Sequence, residues 1–396
     1  MRNALVQTQE CNPVYKAENK IHMATERIRQ GILNWDSTAH VNDLNIYKSE
    51  LEKVAKQLHC YPELFYFDNC TMWSEPNTGK VTKVDLHYKA GFTPEHTTEL
   101  EKAVNRALSY ITPGMDELQK LLVLHDYLAM NVAYDQKNYV AQTIPSASYT
   151  PYGALVLRTA VCQGYTLAYQ MLLKRCGIPS TYVSSKAMKH GWCMVQLWGD
   201  WYHVDVTWDD PAPDTPGMAR HKYFLLSDAA ISDEKHRHFG WVSEHVCRND
   251  RFDSNMFWGN TDIPIPFTDS DTYWLLRGNG DGLNQTINLL RRSWSTGEYE
   301  VAASVKGCWP SWNKPGYYWN KAYSGLVLWN GRLFFNDKQH VYAYDPAKRT
   351  QEIVFTYRGG EGYLYGLTHD GSKMQYLLKQ DAEQKTGTLR SFTVYN

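Results

Sequence analysis

TAVCQGYTLAYQMLLKRCGIP, residues 159–179, is the stretch on which the reading of this chain turns. Tyr165, Ala168, Tyr169, Leu172 and Cys176 recur at helical spacing, which predicts a helix from about 160 to 176 with those residues inward. Gly177 supplies a C-terminal stop and Pro179 prevents continuation. Cys162 then falls in the first turn, where backbone N–H groups have no intrahelical partner. A thiol attacks well only as its thiolate, and an ordinary cysteine has a pKa near ~8.5. A helix N-terminus and a neighbouring imidazolium both lower that value. The same N–H groups suit a developing oxyanion. Gly164 leaves room for a close approach to the helix.

The imidazole is sought downstream. TYVSS (181–185), HGWCMVQLW (190–198) and WYHVDVTW (201–208) read as strands, the last two joined at Gly199-Asp200 as a hairpin. Alternation puts His190, Trp192 and Met194 on one face, and His203, Asp205 and Thr207 on one face of the next strand. A strict two-residue turn at Gly199-Asp200 sets His190 opposite Asp209 and Asp205 opposite Met194. His190 and Asp205 would then lie about 13 Å apart along the strands, at ~3.4 Å per residue. A bulge or a different turn would bring them closer. His203 reads as a support of the sheet or a lining of the cleft. Trp192 and Trp208 read as walls or core.

The order YGALVLRTAVCQGYTLAYQMLLKRCGIP, KHGWCMV, WYHVDVTWDDP resembles the transglutaminase-like superfamily of papain-like-fold cysteine enzymes, bacterial members especially. LVLHDYLAMNVAYD (122–135) is similar to the helix that precedes the core in that family, and HKYFLLSDAAIS to its closing segment. The resemblance covers roughly residues 115–240. It implies Cys162 as nucleophile, His190 as general base and acid, and Asp205, rather than Asp209, as the group that orients His190. Tyr152, Gln163 and Trp192 are the candidates for substrate binding or for a second oxyanion donor. The family pattern around the histidine is His-Ala-Trp-Asn or similar, and here it is His190-Gly191-Trp192-Cys193. Gly for Ala reads as a mild change. Cys193 alternates to the opposite face from His190 and reads as core.

Working outward, DLNIYKSELEKVAKQLH (43–59) reads as a helix, YPELFYFD (61–68) and KVTKVDLHYKA (80–90) as strands, and 95–111 and 115–131 as helices. The polar stretch 135–150 reads as a loop forming one wall of a cleft. After about residue 262 helical patterns stop, and short strands recur: GLVLWNG (325–331), RLFFND (332–337), HVYAYD (340–345), EIVFTY (352–357). A weak repeat of roughly fifty residues suggests propeller-like blades or a small β-sandwich. The fold class expected is α+β: an N-terminal α+β region over 1–112, a papain-like transglutaminase core over 113–260, and an all-β C-terminal domain over 261–396.

With 396 residues, 43% hydrophobic and 21% charged, the chain can bury a real core. A net charge of −1 argues against nucleic acid, and no apolar run is long enough for a membrane span. The first twenty residues hold no signal-length apolar core, while the modular layout favours a secreted or cell-surface protein. Eight cysteines without a C-x-x-C pair do not make a disulfide framework once Cys162 is reserved as a thiolate. His236, His238 and His245 match no common zinc spacing. No metal or cofactor is expected, and nothing sets the oligomeric state. The expected function is acyl transfer at amide bonds through a thioester. Hydrolysis of protein or cell-wall peptide is favoured, peptidoglycan peptide among the candidates. A protein-crosslinking transglutaminase and a non-catalytic scaffold binding glycan or protein are the alternatives.

Overall fold

Cys162–Arg175 is a helix, and its ends show why. Gly177 takes the left-handed conformation (φ 72°), and the Ile178 N–H closes back on the Leu173 carbonyl at 3.0 Å. At the start, Val161 is extended and has no side-chain oxygen to offer the first-turn N–H groups. Ser148 reaches this end: its carbonyl accepts from the Val161 N–H at 2.9 Å and lies 2.5 Å from where a Cβ on Gly164 would sit. Gly164 is therefore the residue that admits the 146–150 segment. That segment is a 3₁₀ turn, Ser146–Tyr149, preceded by a short helix, Gln136–Ala141, so 135–150 is more ordered than a plain loop.

In this computed structural model the described residues are 19–58, 61–212, 214, 217–254, 256–268, 270–277, 282–293, 296–319, 323–369, 371–384 and 386–394. The N-terminal stretch, with Cys11, and Cys60 lie outside them. Two compact units result, and they interleave along the sequence. One takes the described residues up to 109 with 137–207 and 225–250; the other takes 110–136, 208–224 and 251 onward. This division differs from the linear one expected from the sequence.

In the first unit the cysteine helix accompanies a four-stranded sheet in the order Ser180–Ser185, His190–Leu197, Asp200–Val204, Phe224–Leu226. The hairpin turns at Trp198-Gly199, both at positive φ (53° and 92°), and not at Gly199-Asp200. Leu197 then pairs with Asp200, and Cys193 with Val204. The strand expected to run through residue 208 stops at Val204, and Val206–Asp209 is a helical turn. A second sheet, ordered Thr38–His40, Val81–Tyr88, Phe67–Ser74, completes the unit with helices Asn19–Leu33, Lys48–Leu58 and Pro94–Leu108. YPELFYFD is not one strand, since Pro62–Leu64 forms a 3₁₀ turn and pairing begins at Phe67. Proline has no N–H for a ladder and a φ suited to the first helical position.

Gly191 is not a mild exchange for alanine. A Cβ there would lie 2.0 Å from the Tyr182 hydroxyl, which is buried without a hydrogen-bond partner on the neighbouring strand. Cys193 is core, as its alternation suggests.

The second unit contains helix Glu117–Asn131 and antiparallel sheets of consecutive strands. The sheets hold strands 271–306 (three), 326–356 (four) and 363–392 (three), with a small 309–319 pair. Tyr273, Leu289, Trp309, Phe335, Tyr344 and Tyr365 from successive sheets share one apolar cluster. A buried polar network also belongs to this unit. His125 faces Asp126 (Nδ1, 2.9 Å) and Asp209 (Nε2, 3.1 Å), and His221 Nε2 faces Asp126 at 2.8 Å. The Ile265 N–H donates to Asp126 at 2.7 Å and the Tyr223 N–H to Asp209 at 3.0 Å. These bonds tie 110–136, 208–224 and the start of the β region together, which is why the unit is not contiguous. Burial alone would lower the His125 pKa, yet hydrogen bonds and charges from Asp126 and Asp209 hold it up at about 9.

Two outcomes follow for stability. Replacing His125 by Leu takes one partner from each of two buried carboxylates and should cost about 3–5 kcal/mol, read as a lowered urea midpoint. Gly191→Ala forces the Tyr182 ring or the strand pair to shift and should cost roughly 1–3 kcal/mol by the same assay.

Candidate active site

Cys162 sits half-buried in the first helical turn, where the His190 imidazole and the Gly191 backbone N–H both act on its thiol to favour the thiolate. Thr166 braces this arrangement: its hydroxyl lies 2.8 Å from the Cys162 carbonyl and 3.2 Å from that of Gly191. The helix end and the start of the His190–Leu197 strand are thereby held together.

The other side of the imidazole meets Asp205. His190 Nε2 donates to Asp205 Oδ2 at 2.5 Å, leaving Nδ1 for the sulfur. The shifted turn explains how. Continued past Val204, the observed pairing would set Asp205 opposite Trp192, one step along the same face from His190. Asp209, the residue favoured by the simpler register, bonds to His125 instead.

Burial and charge act against each other here. Burial would raise the Cys162 pKa, but the hydrogen bond and charge of His190 bring it below its ordinary value. Burial would lower His190, but the charge and hydrogen bond of Asp205, then Cys162, raise it to about 10. Burial would raise Asp205, but His190 and His238 hold it well below the usual carboxylate range. The arrangement favours a thiolate–imidazolium pair with a buried carboxylate behind it.

The remaining candidates are placed as follows. Trp192 is buried, its ring stacked on His190 with centroids 5.7 Å apart and planes 20° apart. Its indole N–H donates to His203 Nδ1 at 2.8 Å, so His203 presents Nε2–H to Asp228, also at 2.8 Å. His203 thus steadies the tryptophan that covers one face of His190. Gln163 is half-buried in the first turn beside Cys162. Tyr152 is buried against Phe65 and Phe92 and donates its hydroxyl to Glu99 at 2.5 Å, so that donor is engaged there.

One member of the cluster escaped sequence reasoning. His238, fully buried, places Nε2 2.8 Å from the same Asp205 oxygen that His190 uses. Its histidine-rich segment drew attention only as a metal candidate. Nearby, His236 bonds Asp233, and His245 stacks on Trp201 with centroids 3.7 Å apart.

Among the described residues, three groups bring possible metal-ligand atoms within 4.8 Å of one another: His125–Asp126–His221, His190–Asp205–His238 and His203–Asp228–Cys247. In each, the histidine ring nitrogens already have hydrogen-bond partners. The six described cysteines are free thiols. No helix among the described residues is long and apolar enough to cross a membrane.

Comparisons with known proteins bear on this site. Over 141 residues the chain is 30% identical to the tRNA nuclease CdiA of Escherichia coli O6:K15:H31 (strain 536 / UPEC), and equally to that of Escherichia coli strain NC101. Those stretches make up 34% of this chain and 4% of each relative, so the chain spans a small fraction of the curated relatives it matches. A crystal structure of a TGase aligns over 36% of this chain and 44% of its own, at 15% identity and a TM-score of 0.26. Residues 105–206 match the family model of the transglutaminase-like superfamily, a span that includes Cys162, His190 and Asp205. The chain carries a transglutaminase-like superfamily core.

Proposed function

We propose that this protein is a cysteine-dependent enzyme that transfers acyl groups from amide bonds through a thioester. The observation that carries this reading is the Cys162–His190–Asp205 relay, with the His190–Asp205 bond at 2.5 Å in a buried setting. In the first half-reaction the Cys162 thiolate bonds to the amide carbon and the C–N bond breaks. His190 gives its proton to the departing amine. In the second, water or an amine attacks the thioester carbon, its proton passes to His190, and the sulfur leaves as thiolate. The first-turn N–H groups, which Val161 leaves uncapped, are the donors proposed for the oxyanion. Gln163 is the side chain proposed to meet substrate beside them.

Hydrolysis of protein or cell-wall peptide is the outcome we favour, because water needs no second binding site whereas crosslinking needs one for the amine. Residues 113–260 are proposed as the extent of the catalytic core. Nuclease activity is named for the long CdiA relatives as a whole, and a 4% overlap does not bring it to this chain.

The test is iodoacetamide labelling of Cys162, followed by turnover on peptide and muropeptide libraries with hydroxylamine as the thioester trap. Labelling at pH 6 should exceed that of a free thiol more than tenfold, since the thiol is held below its ordinary value. Cys162→Ala should abolish hydroxamate formation. If it does not, and wild-type Cys162 labels like a free thiol, the reading fails.

The pH profile has a defined sign. Activity should rise with Cys162 ionisation and fall as His190 loses its proton near pH 10, because the leaving amine then has no acid. Asp205→Asn should reduce turnover by roughly 10²–10⁴-fold, measured as kcat.

A further inference from the structure

Asp205 Oδ2 accepts two hydrogen bonds, one from His190 Nε2 at 2.5 Å and one from His238 Nε2 at 2.8 Å. His238 is itself held from several sides. Its backbone N–H donates to the Ile231 carbonyl at 2.9 Å, and its Nδ1 lies 3.1 Å from the His236 carbonyl oxygen. Its ring packs T-shaped against Trp192, with centroids 4.7 Å apart and planes at 86°. The segment that delivers it is bent. Arg237, just before it, adopts the left-handed conformation (φ 58°), which costs a residue with a Cβ. Trp241, just after it, is bridged to Ser185 at the end of the neighbouring strand. Strain of this kind persists where surrounding contacts over-determine it, and here it aims one imidazole at one carboxylate oxygen.

Each donor of fixed position restricts how far a carboxylate can turn about its Cα–Cβ and Cβ–Cγ bonds and drift from the imidazole it should direct, as partners behind a ligand orient it elsewhere in protein chemistry. We propose that His238 is a positioning residue that donates Nε2–H to Asp205 and fixes the carboxylate against His190. The inference rests on the proposed catalytic role of Cys162, His190 and Asp205. No bond is made or broken at His238, and the Nε2 proton stays in place throughout.

Packing and hydrogen bonding make opposite demands at this position. A phenylalanine keeps the ring against Trp192 but has no N–H. A glutamine loses the ring but keeps an N–H within reach of Asp205. The experiment compares His238→Phe and His238→Gln with wild type, reading the second-order rate of Cys162 labelling by iodoacetamide at pH 6 and the melting temperature. A slowing of tenfold or more in His238→Phe is expected, with most of the rate recovered in His238→Gln, although phenylalanine is the better packed of the two. Wild-type labelling in His238→Phe, or equal slowing in both variants, overturns the proposal. A wild-type Cys162 no more reactive than a free thiol overturns the catalytic reading and this inference with it, so the two failures are told apart by the control. Should His238→Phe not fold, ¹⁵N-histidine spectra of the wild-type protein decide the matter. A proton on His238 Nε2 is expected, and a bare Nε2 overturns the proposal.

Discussion

The first unit depends on keeping an ionised carboxylate out of water. Asp205 is 1% exposed, and burial alone would drive it to its neutral form. It stays charged because two histidine N–H groups point at it. Neighbouring features serve that arrangement. The strand ends at Val204, which frees Asp205 from the ladder, and Trp192 seals one face of His190. The cost of the buried charge is met by hydrogen bonds to the ion, and what is gained is an imidazole that can hold a proton beside a thiol.

The position of one turn decides which aspartate reaches His190. Gly199 belongs to both possible two-residue turns, Trp198-Gly199 and Gly199-Asp200, and glycine suits either. Local preference argues against the observed one, since tryptophan at positive φ is uncommon. Pairing overrides it: Leu197 meets Asp200, and buried Cys193, Met194 and Val195 meet Val204, His203 and Tyr202. A turn register is set by the strands that it joins as much as by its own residues, so alternation alone led to Asp209. The resemblance, which compares whole motifs, led to Asp205.

What was legible in the sequence was periodic or local. The Cys162 helix, its glycine stop, the inward Cys193 and the strand-rich region beyond residue 262 all follow from spacing and turn chemistry. What was not legible depends on residues far apart in the chain. His238 lies 33 residues from Asp205, and Asp126 lies 95 residues from His221. No periodicity links such pairs, because each bond joins separate elements whose approach is set by packing. Gly191 and Gly164 are of the same kind. Their meaning is the Tyr182 hydroxyl and the Ser148 carbonyl that lie where a side chain would be, and neither neighbour is marked in the sequence.

The two units solve one electrostatic problem with the same pair of residue types. In the second, His125 lies between Asp126 and Asp209, and backbone N–H groups complete both carboxylates. Both its ring nitrogens face carboxylates, so it has no lone pair with which to take a proton and works as a strut. In the first, one carboxylate is shared by two imidazoles, and His190 keeps a nitrogen for a thiol at the open end of a helix. The difference between strut and candidate catalyst is therefore the kind of partner on each ring nitrogen, not the number. A histidine saturated by carboxylates stabilises, whereas one that divides its nitrogens between a carboxylate and a half-buried cysteine can move a proton.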